Sequence, residues 1–84
     1  MKLLYFSWIR ERLDMGEEEL TLPENLSTVG ELTGWLRTRG DEFEAVFAHE
    51  KVVRVALDHE HVDDPNASLS GISEIAFFPP MTGG

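Results

Sequence analysis

Apolar residues along the chain fall into two rhythms, one of period two and one of helical period. The opening KLLYFSWI, rich in aromatic and branched side chains, reads as a strand. Alternation puts Lys2, Leu4 and Phe6 on one face and Leu3 and Tyr5 on the other. Arg10 to Leu13 reads as a helical turn ahead of Gly16. Glu18 to Leu22 is a second strand candidate, stopped by Pro23, which has no ladder donor, and the short connection suits an antiparallel neighbour.

The helical rhythm is clearest after Thr28. Thr28 and Glu31 have T-x-x-E spacing, which lets each side chain satisfy an orphaned backbone donor of the other. Val29, Leu32, Trp35 and Leu36 then share one stripe, and Gly40 serves as a terminator. Gly30 and Gly34 each cost about 1 kcal/mol against alanine, so packing must hold this helix. Phe43, Val46 and Phe47 follow on an irregular or helical turn. KVVRVALD is the third strand, with Val53, Val55 and Leu57 opposite Arg54. A short strand around His61 and Val62, the polar turn DDPNAS and the final strand SEIAFF complete the order, and Pro79 and Pro80 stop the last strand.

These elements predict an α+β fold in which one main helix covers one face of a mixed sheet. The first and last strands are the most apolar and are expected at central positions. The chain divides into a single domain over residues 1–78 and a flexible C-terminal tail over 79–84, with no internal repeat and no linker to split it.

Composition narrows the function classes. The 84 residues are 42% hydrophobic and 27% charged, which suits a globular domain. No apolar run approaches the roughly 18 residues of a membrane span, and no signal peptide is visible. There is no cysteine, which removes disulfides, thiolate metal sites and a thiol nucleophile and fits a cytoplasmic protein. Sixteen acidic against seven basic side chains give a net charge of −9. Such a surface repels phosphate backbones, so no nucleic-acid partner is expected; a basic protein surface is compatible, and solubility alone is the preferred explanation of the charge.

Parity in the last strand sets Ile75 and Phe77 on one face and Glu74, Ala76 and Phe78 on the other. Glu74 marks its face as exposed, as Lys2 does in the first strand. If the two strands are neighbours, Phe6 and Phe78 lie together on a surface away from the helix, as an interface candidate. The alternative is that one or both pack under the irregular segment after the helix. Beyond Phe78, six residues extend about 20 Å at most. Pro79 and Pro80 stiffen the exit, Met81 and Thr82 follow, and Gly83 and Gly84 carry no side chain, so the end fits a narrow channel. What it delivers is the Gly84 carboxylate, a poor electrophile until another protein activates it.

Other chemistry is weakly represented. DHEHVDD, residues 58–64, has two histidines on one strand face among carboxylates, but its spacing matches no metal site and a polar hairpin explains it. His49 has no assigned role. Serines 7, 27, 68, 70 and 73 lack a base at diagnostic spacing, and no Gly-rich phosphate loop is present. An autonomous enzyme is not expected.

The N-terminal strand leading to Arg10-Glu11, the Thr28-Val29 helix start, VALDHEHV and above all EIAFFPPMTGG resemble the small, sulfur-carrying subunit family of molybdopterin synthase, ubiquitin-like β-grasp proteins. The resemblance covers the whole chain. The family usually carries Asn where Asp58 stands and Gly-Asp-Glu where Ile72-Ser73-Glu74 stand, departures that touch the turns before the last strand. It implies a carrier that binds no cofactor itself. A ubiquitin-activating-like adenylyltransferase uses ATP and magnesium to adenylate Gly84, and a sulfur donor protein converts the adenylate to a thiocarboxylate. The tail (Pro79, Pro80, Met81, Thr82, Gly83) then enters a pocket of the large synthase subunit, and sulfur passes to cyclic pyranopterin monophosphate. The usual assembly is a heterotetramer of two small and two large subunits. Phe6, Phe78 and Val62 make up the expected partner interface. The alternatives are a ubiquitin-like modifier joined to lysines through Gly84 and a sulfur carrier for thiamin thiazole synthesis. The latter shares the Gly-Gly end but typically lacks the Phe-Phe-Pro-Pro lead.

Overall fold

A computed structural model of the chain describes residues 1–48 and 53–80. The predicted start of the third strand at Lys51 and Val52, His49, and the tail residues Met81, Thr82, Gly83 and Gly84 lie outside the described residues. The chain runs β1 (Lys2–Tyr5), α1 (Ser7–Leu13), β2 (Glu17–Glu19), α2 (Val29–Leu36), a 3-10 turn (Arg37–Arg39), α3 (Asp41–Phe47), β3 (Arg54–Leu57), β4 (Glu60–Val62) and β5 (Glu74–Phe78). The five strands form one mixed sheet in the order β2-β1-β5-β3-β4. β5 is central and β1 lies beside it in parallel, while the remaining pairs are antiparallel. Both apolar strands therefore sit in the interior of the sheet, as their composition predicts.

Three expectations need correction. Ser7, Trp8 and Ile9 do not continue the first strand. Ser7 adopts φ 56, which breaks the extended run, and a helix forms that buries Ile9 and Leu13 one turn apart. The segment after Gly40 is a full helix, α3, which buries Val46 and Phe47. The helical layer is thus three α-helices and a 3-10 turn among the described residues, where one main helix was predicted. β2 is shorter than predicted and ends at Glu19.

The α2 start is as the spacing predicts. The Glu31 amide donates to the Thr28 hydroxyl oxygen at 3.2 Å, and the Glu31 carboxylate accepts from the Thr28 amide at 3.1 Å and from the Ser27 amide at 2.9 Å. Val29, Leu32 and Leu36 are buried and Trp35 packs partly against them. Gly40 has φ 148, a backbone region that favours glycine, and separates the 3-10 turn from α3.

The core lies between the helices and one sheet face, made of Leu3, Tyr5, Val55, Leu57, Ile75 and Phe77 from the strands and Ile9, Leu32, Leu36, Val46 and Phe47 from the helices. Phe77 is its centre. Tyr5 stacks on it at 5.7 Å between ring centroids, and Phe47 meets it edge-on at 5.0 Å. The Tyr5 hydroxyl donates to Glu18 Oε2 at 2.7 Å, and Arg39 grips the same carboxylate with bonds of 2.8 and 3.0 Å. This network ties β1, β2 and the 3-10 turn together. The Arg39 hydrogen bonds hold the Glu18 carboxyl below its usual range, and burial, then Glu18, push the Tyr5 hydroxyl well above the ordinary tyrosine value.

Candidate functional site

The helix-free face of the sheet is built by the residues that alternate with the core. Register sets Leu4 beside Ala76, Ala76 opposite Ala56, and Arg54 opposite Phe78. Ala56 in turn opposes His61 across the β3–β4 pair. Leu4, Ala76 and Ala56 make an apolar row across the strands, and Phe78 stands two residues further along β5, where the strand runs into Pro79. Phe78 is half-buried, and the His61 ring lies 5.8 Å from it. His61 Nε2 is 3.2 Å from Asp63 Oδ1, and Arg54 Nη1 reaches the same oxygen at 3.8 Å.

Phe6 belongs to this end of the molecule by a different route from the one alternation suggests. It lies just past β1 as the residue preceding α1, with extended backbone at φ −123 and ψ 157. Its amide donates to the Phe77 carbonyl at 3.1 Å, which fixes it beside the exit of β5. It is 47% exposed, so the core alternative does not hold for Phe6. Val62 stands apart. Its partner across the sheet is Val55, a buried residue, and Val62 packs against the core on the helix side. The residue of β4 that joins Phe78 is its neighbour His61, which sequence reasoning missed. The missing signal is the two-residue turn at Asp58 and His59: both have positive φ, 47 and 73, so Leu57 pairs with Glu60 and His61 falls on the outer face.

The entry of β5 is clamped. The Asp58 carboxylate accepts from the amides of Ser73 at 3.0 Å and Glu74 at 2.9 Å, clamping the turn that leads into the strand. Here the departures from the resembled pattern meet: Asp58 tolerates the left-handed backbone as Asn does and supplies the same acceptor. Pro79 and Pro80 follow, both half-buried. Among the described residues no group of three or more His, Cys, Asp or Glu is placed to hold a metal ion. His59 Nε2 lies against Glu74 at 3.2 Å, and His61 is directed to Asp63. No helix of the described residues is long and apolar enough to cross a membrane.

The arrangement is a presenting body: a central strand, an outer face whose apolar row is flanked by charged residues, and an exit past two prolines. A family model described as the ThiS family matches residues 3–84. The chain belongs to the ThiS family. This ThiS-family chain has the fold of the ubiquitin-like sulfur carriers, a β-grasp, as the sequence resemblance implied. A solved structure from Pyrococcus furiosus, provisionally assigned as molybdopterin converting factor, subunit 1, is similar with a TM-score of 0.72, 26% identity and 95% of each chain covered. SAMP1 from Haloferax volcanii is similar in fold, with a TM-score of 0.72, 20% identity, all of this chain and 98% of that one covered. No curated protein sequence matches.

Proposed function

We propose that this ThiS-family protein is the sulfur-carrying subunit of a molybdopterin synthase. The observation that carries the reading is that β5, central in the sheet and stacked on through Phe77, runs directly into Pro79 and Pro80, so the strand that leads to the chain end is anchored in the core. The similarity to a protein assigned as a molybdopterin converting factor subunit supports this choice among carriers.

In this reading the partner adenylyltransferase binds ATP and magnesium, and an oxygen of the Gly84 carboxylate attacks the α-phosphate with release of pyrophosphate. Sulfide equivalent from a donor protein displaces AMP and leaves a thiocarboxylate. The large synthase subunit receives Pro79, Pro80, Met81, Thr82, Gly83 and Gly84, and the sulfur passes to cyclic pyranopterin monophosphate. The chain contributes no acid, base or metal of its own to these steps. Its parts are the reactive end, the stiff prolines that keep it out of the sheet, and the Phe6 and Phe78 face that docks. The absence of cysteine in the sequence fits a carrier whose sulfur is borne by the chain end.

Intact-mass measurement after incubation with the adenylyltransferase, ATP, magnesium and a sulfur donor tests the reading. A mass gain equal to sulfur replacing one oxygen, followed by its loss on addition of the large subunit and cyclic pyranopterin monophosphate with dithiolene formed, is the expected result. Covalent conjugates of higher mass, with no such gain, would instead establish a protein modifier.

A further inference from the structure

Among the described residues two large apolar side chains are exposed, Phe6 at 47% and Trp8 at 36%. They are two positions apart at one corner, the junction of β1 and α1, so their Cα atoms are at most about 7 Å apart. The corner is fixed to the exit of β5, because the Phe6 amide bonds to the Phe77 carbonyl at 3.1 Å. Ser7 between them holds φ 56, a conformation that a non-glycine residue adopts at a cost. Had β1 simply continued, Ser7 would be extended and Trp8 would follow the alternation of Lys2, Leu4 and Phe6 onto the sheet face. The turn at Ser7 instead sets Trp8 on the first turn of α1, with the adjacent Ile9 buried.

We infer that Trp8 is a binding anchor for the large synthase subunit, and that the docking surface wraps from the outer sheet face around the Phe6 corner onto α1. The inference rests on the carrier reading proposed above. On that reading the four residues after Pro80 reach about 14 Å at full stretch. A protein that encloses Gly84 must therefore bring the rim of its pocket against whatever surrounds the β5 exit. Phe78 and His61 surround it on the sheet side, Phe6 and Trp8 on the α1 side. Exposed aromatic residues at the centre of such a contact supply most of its affinity, with tryptophan foremost. The net charge of −9 favours a basic rim on the partner, which steers the encounter while the aromatic corner holds the complex.

The chain has two tryptophans, and Trp35 is partly buried with the Arg39 guanidinium 5.6 Å from its ring. In a Trp35→Phe background Trp8 is the sole indole reporter. Titration with purified large subunit is expected to shift Trp8 emission to the blue as the ring leaves water. Trp8→Ala is expected to raise the Kd by tenfold or more, and Trp8→Phe to recover most of the loss. Circular dichroism melting of each variant checks that the exposed substitution leaves the fold unchanged. If the wild-type chain binds the large subunit and transfers sulfur, yet Trp8→Ala binds equally well and Trp8 emission does not move, this inference is wrong while the carrier reading stands. If the wild-type chain neither acquires sulfur nor binds the large subunit, both are wrong.

Discussion

Asp58 and Glu74 close the same end of the antiparallel β3–β5 pair, one position beyond Leu57 and Ile75. The Asp58 amide donates to the Glu74 carbonyl at 2.9 Å, and the Glu74 amide donates to Asp58 Oδ1, also at 2.9 Å. The Ser73 amide adds a second bond to the same oxygen. Asp58→Ala removes both side-chain bonds and places alanine at φ 47, so stability should fall by about 1–3 kcal/mol. Asp58→Asn keeps an acceptor and should cost less than about 1 kcal/mol. Urea denaturation of the two variants checks the ordering, and equal losses would show that the charge, rather than the geometry of the bond, holds the turn.

Glu18 gives the fold an acid limit. Its carboxyl is held below the usual range by Arg39, then by Tyr5, and it is largely enclosed. A carboxyl with a depressed native pKa contributes stability that is complete above its unfolded value, about 4.3, and is lost as pH falls through the native value. Glu18→Gln should cost about 1–3 kcal/mol at pH 7, and the gap to wild type should narrow below about pH 4. Urea midpoints for both proteins from pH 7 to pH 3 check this; a gap that stays constant would mean the ionised carboxylate is not what matters.

Adjacent phenylalanines in β5 should separate cleanly. Phe77 is fully buried between Tyr5 and Phe47, and Phe77→Ala should cost about 3–5 kcal/mol of folding stability. Phe78 is half-buried on the outer face against His61, and Phe78→Ala should weaken association with the large subunit by about 1–3 kcal/mol. Calorimetric titration alongside thermal melting distinguishes them. A Phe78→Ala protein that binds normally but melts early would assign that ring to the fold alone.

Deletion of Gly84 should leave the melting temperature unchanged, because Phe77 is the last core residue among the described residues. It should abolish sulfur loading under the mass assay described above. A truncated chain that still accepted and delivered sulfur would remove Gly84 from the chemistry.

Much of this was readable from alternation alone. Leu3, Tyr5, Ile75 and Phe77 are buried while Lys2, Leu4, Glu74 and Ala76 are not, as period two requires of a sheet covered on one side. The capping box at Thr28 announced α2 because it is a local arrangement that needs no tertiary partner. What escaped was set by single backbone positions. Ser7 at φ 56 ends β1 early, so Trp8 was read as strand and its exposure passed unnoticed. The paired positive φ values at Asp58 and His59 fix the register of β4, and without that turn the placement of His61 opposite Ala56, with Val62 opposite the buried Val55, could not be read. α3 was underestimated because its seven residues, Asp41–Phe47, carry a short apolar stripe whose helical form depends on packing against Phe77 and its neighbours.

The parallel pairing of Lys2 with Glu74 and Tyr5 with Phe77 has a kinetic consequence. The middle of the sheet joins segments from the two ends of the described chain, so the domain has no closed centre until its final strand has been synthesised. Contacts this distant in sequence carry a large loop-closure cost and form slowly. A ribosome-bound chain that stops short of β5 therefore lacks Phe77, on which Tyr5 and Phe47 pack. Closure of the core and the fixing of the β5 strand are one event, completed only when the last strand lies between the first and the third.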